Sequence, residues 1–78
     1  MIREYSIESS EGVEIVTFDS SNGNIRFKGV CSNCGNVDST TADTYINGGT
    51  TLNSSYYCTK CKTTTDIKIT VKMKVTFQ

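Results

Sequence analysis

The segments CSNCG (residues 31–35) and YYCTKC (residues 56–61) decide the fold of this 78-residue chain. Each contains two cysteines separated by two residues, and 23 residues lie between the second and the third cysteine. A tight turn of this spacing directs two thiol groups to the same side of the chain. Two such turns can therefore present four sulfur atoms to one point, and they use every cysteine of the protein: Cys31, Cys34, Cys58 and Cys61.

This pattern is typical of a structural zinc site, with a connection slightly longer than the usual one. Four thiolates at about 2.3 Å suit tetrahedral Zn²⁺, and four protein ligands leave no position for water or substrate. We therefore predict one structural Zn²⁺ held by the four cysteines. Gly35, after the first pair, can adopt the left-handed conformation that such a turn favours, whereas Lys62 takes the same place after the second pair.

Other uses of four cysteines stay open at this point. Iron–sulfur clusters use cysteines that are usually more tightly grouped. A redox pair would begin a helix in a βαβ unit, and the sequence indicates no such helix. A disulfide framework needs an oxidising compartment. The N-terminal segment carries Arg3 and Glu4 and no long apolar run, unlike a signal peptide. We therefore expect a cytoplasmic protein with reduced thiols, and one that can be incorporated into a virion.

The remainder of the chain has the alternating pattern of β-strands. In DIKITVKMKVTF (66–77) every second residue from Ile67 to Phe77 is apolar, which predicts a long, half-buried strand. Shorter strands are predicted at 3–7, 13–18 and 24–30, with a hairpin turn at Asn22-Gly23. TADTYI (41–46) and TTLNSSYY (50–57) flank a second hairpin signal, NGG (47–49). The predicted class is small all-β.

Residues 31–78 resemble a zinc ribbon, in which two cysteine turns, called knuckles, flank a β-hairpin and a long strand follows. The resemblance rests on the four cysteines, Gly35 and the aromatic Tyr57 before the second knuckle. It implies a single domain over 1–78, with residues 1–30 forming an N-terminal β-hairpin or meander. The spacing is similar to that of RNA polymerase cleavage factors, which carry an Asp-Glu pair at the hairpin tip. The segment INGGTT (46–51) has no such pair, so this activity is not implied.

Charge restricts the class of partner. The chain has eight basic and eight acidic residues, whereas a nucleic-acid-binding domain is usually strongly basic. We define the lysine row as Lys68, Lys72 and Lys74, which share one face of the last predicted strand. The row can contact phosphates, pair with an acidic N-terminal strand, or form the solvated face of an edge strand.

The residue types do not favour an enzyme. The chain contains no histidine for acid–base work near neutral pH, and no serine or cysteine nucleophile has a base beside it. We predict a non-enzymatic module that docks on a larger protein assembly, with no membrane partner and no small-molecule substrate. Its composition resembles that of small accessory or structural proteins of bacterial viruses. Candidate partner-binding residues are Tyr45, Tyr56, Lys68, Lys72 and Lys74.

A second hypothesis is a transcription- or RNA-associated zinc ribbon. It would contact nucleic acid or RNA polymerase through the lysine row together with Lys60 and Lys62, which flank Cys61.

Overall fold

The computed structural model describes residues 2–46 and 50–77, which form six strands and two antiparallel sheets. One sheet has the order β1-β6-β5 and the other β2-β3-β4. Within the described ranges no helix is long and apolar enough to cross a membrane. The predicted all-β class is confirmed. The strands are β1 (Ile2–Glu11), β2 (Val13–Asp19), β3 (Asn24–Gly29), β4 (Ala42–Tyr45), β5 (Thr51–Cys58) and β6 (Thr63–Thr76).

Strand β6 is the predicted long strand and lies at the centre of its sheet. Its alternation places Ile67, Ile69 and Val71 in the core, at most 4% exposed, while the lysine row faces solvent. It pairs with β1 from Lys68 to Thr76 and with β5 from Thr63 to Thr70. The edge-strand interpretation of the lysine row is wrong for Lys68, which has paired strands on both sides. It is confirmed for Lys72 and Lys74, which lie beyond the segment of β6 that pairs with β5.

Strand β1 is longer than the sequence predicts. Beyond residue 7 the segment ESSE (8–11) has no apolar residue, yet it continues the pairing with β6 after a bulge between Ile7 and Ser9. Gly12 then turns the chain into the second sheet with φ 72°. A Cβ atom here would lie 2.6 Å from the Asp66 carbonyl oxygen, so both the backbone angle and the close approach require glycine.

The hairpin of β2 and β3 forms as predicted, around a loop of residues 20–23. The Asp19 carboxylate accepts hydrogen bonds from the amide and hydroxyl of Ser21, at 2.9 and 2.6 Å. These bonds lower the pKa of Asp19, the side-chain bond most strongly.

The strands on either side of residues 47–49 do not pair with each other as the second hairpin signal suggests. Strand β4 pairs with β3, and β5 pairs with β6, so they belong to different sheets. The predicted turn itself, Asn47 to Gly49, lies outside the described residues. Strands β4 and β5 do not pair because the second knuckle places Cys58 opposite Thr63, which fixes β5 beside β6.

The core lies between the two sheets. It combines buried side chains from both of them with Leu52, Ile7 and other partly buried neighbours. The molecule is elongated, 52 × 17 × 14 Å, because β1 and β5 are displaced from one another along β6. One end of the long axis therefore carries the cysteines, and the other carries the β1–β6 ribbon. The buried set is Tyr5, Ile25, Phe27, Ile46, Ile67, Ile69 and Val71.

Candidate metal centre

Both cysteine pairs lie in tight antiparallel turns. In the first, Val30 bridges Val37, the Cys31 amide donates to the Asn36 carbonyl at 2.8 Å, and the Gly35 amide donates to the Cys31 carbonyl at 2.9 Å. The second is the turn of the β5–β6 hairpin, closed by Cys58 opposite Thr63. Each turn therefore presents its two thiols side by side, as the spacing predicts.

The two turns face each other, and their four Sγ atoms lie within 4.8 Å of one another. Across the turns, Cys31 Sγ is 3.2 Å from Cys61 Sγ, and Cys34 Sγ is 3.7 Å from Cys58 Sγ. A tetrahedral ion with ligands at about 2.3 Å requires sulfur separations of about 3.8 Å. A disulfide requires about 2.05 Å, and all four cysteines are free. The cluster therefore fits one tetrahedral metal ion.

The centre has a buried and an open side. Cys31 and Cys58 are 2% and 0% exposed, Cys61 is half-buried, and Cys34 is exposed. One thiol from each turn is therefore shielded from solvent. The four predicted ligand residues are thus brought together at the molecular surface, with two of them buried.

The thiols of the second turn are disposed to ionise. The Cys61 backbone amide lowers the pKa of Cys58. A side-chain hydrogen bond from Thr63, followed by one from Cys31, lowers the pKa of Cys61 to about 6. At Cys34 the Asn36 amide also favours the thiolate, but Cys61, burial and Cys31 together raise the pKa to about 12. Four thiolates this close repel one another, so full ionisation requires a bound cation.

Thr65 links the two turns and was not predicted as a site residue. Its Oγ1 accepts from the Ser32 amide at 2.9 Å and lies 3.2 Å from the Ser32 hydroxyl, and Thr65 is 5% exposed. The bond ties the first turn to β6 beside the cysteines. The sequence does contain a signal for its burial. If the alternation of β6 is extended toward the N-terminus, Thr65 falls on the same buried face as Ile67.

Tyr56, a predicted partner-binding residue, is partly engaged inside the molecule. Its hydroxyl accepts a hydrogen bond from Asn36 Nδ2 at 3.1 Å, and its ring packs so closely on Gly29 that a Cβ there would lie 2.6 Å from the ring Cγ. Burial is the main cause of a raised pKa for Tyr56. Tyr45 and Tyr57, by contrast, are 63% and 53% exposed.

The lysine row faces acidic residues of β1. Glu4 lies opposite Lys74 and Glu11 opposite Lys68 in the strand register. Lys72 Nζ is 3.0 Å from a carboxylate oxygen of Glu8, which sits at the bulge. The predicted cross-strand pairing with an acidic N-terminal strand is confirmed. Because the Lys72–Glu8 pair is exposed, it adds little stability, but the surface is locally close to neutral.

Comparison of the chain with protein-family models, curated proteins and solved structures gave no match. The chemistry of the centre is therefore inferred from the geometry of its four thiols. Four converging thiols fill a tetrahedral shell, so an ion bound here has no open position for a substrate.

The two turns differ at the residue that follows the second cysteine of each pair. Substitutions at these two residues, Gly35→Ala and Lys62→Gly, should therefore change the stability in opposite directions. Gly35 has φ 74° with no atom within 4 Å of a Cβ, so Gly35→Ala costs about 1–2 kcal/mol through the backbone alone. Lys62 has φ 55°, so Lys62→Gly relieves strain and stabilises by about 0.5–1 kcal/mol. Thermal unfolding of the metal-loaded variants measures both.

Lys60→Gly is the matched control, since it removes a lysine of the same turn at a residue whose φ is not positive. We expect it to destabilise by about 0.5–1 kcal/mol. Stabilisation by Lys60→Gly as well as by Lys62→Gly would show that charge, and not backbone conformation, is responsible.

Proposed function

We propose that this protein is a non-enzymatic zinc-binding module that docks on a larger protein assembly. The observation that carries the proposal is the convergence of four cysteine thiols from two facing turns within 4.8 Å. Four thiolates in tetrahedral arrangement favour Zn²⁺, which would hold the turns together through Cys31, Cys34, Cys58 and Cys61. An ion enclosed in this way stabilises the fold and leaves function to the protein surface.

The surface charge favours a protein partner over nucleic acid. The lysine row is balanced by Glu4, Glu8 and Glu11 on the neighbouring strand. The whole chain has no net charge, whereas phosphate binding depends on unbalanced Lys and Arg. Exposed aromatic residues are available as contacts, and tyrosine is enriched in protein interfaces. The candidates are Tyr45 and Tyr57.

A second candidate function is binding to nucleic acid or RNA polymerase. It is favoured by the charge of residues 39–78, where five lysines stand against two acidic residues. Lys60 and Lys62 lie beside Cys61, and neither belongs to the ion pairs found within residues 2–46 and 50–77. Such a surface would use these two lysines more than the lysine row.

The compartment is part of the proposal. A site of four reduced thiols suits a reducing environment such as the cytoplasm, because oxidation would compete with zinc for the sulfurs. A particle of a bacterial virus, assembled in that compartment, is one class of assembly that fits a small neutral β-module.

The test is capture of partners on the tagged, zinc-loaded chain, with and without nuclease, in about 0.3 M salt, where most phosphate-driven binding is lost. We expect a discrete protein to remain bound. It should also remain when Lys68, Lys72 and Lys74 are changed to glutamate, and it should be reduced by Tyr45→Ala combined with Tyr57→Ala. Loss of all captured material with nuclease would overturn the proposal in favour of nucleic acid.

A further inference from the structure

The four outer edges of the two sheets are not equally protected against pairing with another strand. Proteins protect exposed edges with charges, bulges or short strands. Strand β1 has a bulge after Ile7 and carries Arg3 and three glutamates, and its Tyr5 amide donates to the Ser20 carbonyl at 2.8 Å. Strand β2 has a bulge after Ile15, and β4 has only four residues.

Strand β5 is the exception. Its eight residues, TLNSSYYC, include no charge and no proline, and its register with β6 runs from Thr51 to Cys58 without a bulge. An edge of this length and regularity is a template for a further strand. Of the four edge strands, only β5 has none of these protective features, which indicates that its outer edge is available for pairing with another strand.

The register shows which backbone groups are available on β5. The Val71 amide donates to the Thr50 carbonyl, so even-numbered residues of β5 direct their backbone groups toward β6. The odd-numbered residues direct theirs outward, and within residues 2–46 and 50–77 no backbone bond is made to them from outside the sheet. They are Thr51, Asn53, Ser55 and Tyr57.

A cleft of about 130 Å³ runs beside the same edge, between β5 and the segment that leads into β4. Phe27, Ile67 and Tyr56 provide an apolar lining. Asp38 also lines the cleft; its Oδ1 accepts from the amide and hydroxyl of Thr40, at 3.1 and 3.2 Å, and Oδ2 accepts no hydrogen bond from the described residues.

A strand added to β5 would direct alternate side chains into this cleft, on the side of the sheet that Tyr56 faces. A lysine or arginine fits the lining best, because its aliphatic stem can lie on the apolar residues while its charge meets the Asp38 carboxylate. Backbone bonds then provide affinity and the cleft provides specificity, as in other cases of strand addition.

We propose that the outer edge of β5 binds an extended segment of a partner protein, which becomes the fourth strand of the β1-β6-β5 sheet and places a lysine or arginine side chain in the cleft beside Asp38. This inference rests on the proposed docking function and names its surface. A second copy of the chain is a weaker occupant, since its own β5 would bring no basic side chain.

The probe is a displayed library of random peptides of about nine residues, longer than a typical strand of about five to six. It is selected on the full zinc-loaded chain in about 0.3 M salt, to suppress binding by charge alone. We expect the selected peptides to share one basic position flanked by residues that favour strands. Hydrogen exchange should slow by at least about tenfold, on binding, at the amides of Thr51, Asn53, Ser55 and Tyr57. Protection confined to other strands would overturn the proposal.

Two substitutions with matched controls test the edge and the cleft separately. Ser55→Pro removes an outward amide and should weaken peptide binding by at least about tenfold, while Ser10→Pro, on the opposite edge of the same sheet, should leave it within about twofold. Asp38→Asn should weaken binding about tenfold, and Glu14→Gln, on β2, should not. Zinc content and circular dichroism verify that each variant folds. If Ser55→Pro does not fold, the proposal is tested by Asp38→Asn and by the hydrogen-exchange protection of the β5 amides.

Three further outcomes contradict the inference: no peptide is enriched, Ser10→Pro weakens binding as much as Ser55→Pro, or the chain forms a dimer that Ser55→Pro abolishes. The last would identify a second copy as the occupant. If a captured protein partner binds Ser55→Pro and Asp38→Asn as tightly as the unchanged chain, the edge proposal fails while the docking function stands. If no protein is captured at all, the docking function itself fails.

Discussion

Cys58→Ser will abolish zinc binding and unfold the protein at room temperature. Cys58 is fully buried and its thiol lies in the cluster, so the change removes a ligand from the site and leaves a hydroxyl in its place. Zinc held by four thiolates contributes an apparent 10–16 kcal/mol, about as much as the whole stability of a typical domain. Native mass spectrometry should find one zinc ion per unchanged chain and none in the variant, whose β-sheet circular dichroism should be lost.

Ser32→Ala is the control for this experiment, because it changes the same region without removing a ligand. It deletes the hydroxyl contact to Thr65 but keeps the amide bond, so zinc should remain bound with a cost of about 0.5–1.5 kcal/mol. A folded Cys58→Ser protein with its β-structure intact would contradict a structural role for the metal. A chelator that removes zinc should unfold the unchanged chain in the same way.

Acid should act on the same site. The pKa values of Cys58 and Cys61 are lowered in the folded protein, so their contribution to stability is present above the unfolded value and is lost as the pH falls through the folded one. For Cys61 that value is about 6 without metal. Zinc binding requires all four thiolates, and the raised pKa of Cys34 opposes it, so zinc release, followed with a colorimetric chelator, should increase steadily as the pH falls below neutral.

Ile69→Ala should reduce the free energy of unfolding by about 2–5 kcal/mol, as expected when a fully buried side chain is removed. Ile69 is 0% exposed and lies in the central strand β6, where it faces the core between the sheets. Removal of its side chain leaves a cavity that two sheets fixed by their backbone bonds cannot easily close. Thermal unfolding in excess zinc should show a decrease of about 4–8 °C for each kcal/mol.

Ile2→Ala is the matched control, since it removes the same atoms from a residue that is 49% exposed at the far end of β1. It should change stability by no more than about 0.5 kcal/mol. Equal losses from the two variants would mean that the space between the sheets is not the main apolar core.

The features best predicted from the sequence are those that depend on local spacing. The two cysteine pairs specify two turns, and the alternation from Ile67 to Val75 specifies one long strand with a buried and an exposed face. The Asn22-Gly23 signal likewise predicted the β2–β3 hairpin. Each of these is fixed by residues that are neighbours in sequence, so periodicity and turn chemistry are sufficient.

The features that were not predicted depend on which strands meet. Nothing local distinguishes β4 paired with β5 from β4 paired with β3, because the choice is made by the second knuckle, which holds β5 beside β6. The extension of β1 from Glu8 to Glu11 is stabilised by β6 and not by its own composition. Thr65 was missed as a site residue because its role depends on Ser32, which is 33 residues away and reaches it only in the folded chain.

The register of β1 on β6 also determines how the molecule responds to a pulling force. Ile2 lies opposite Thr76, so the two ends of the described chain are neighbours, and a force that separates them acts across the ladder and not along it. Antiparallel backbone hydrogen bonds lie perpendicular to the strands, so a force in this direction loads the terminal pair first. The hydrogen bonds would then break sequentially, one pair at a time. The ribbon would open from Ile2 toward Glu11 before tension reached the cysteine turns. The end that carries the cysteine turns is therefore shielded from the force until the ribbon has opened.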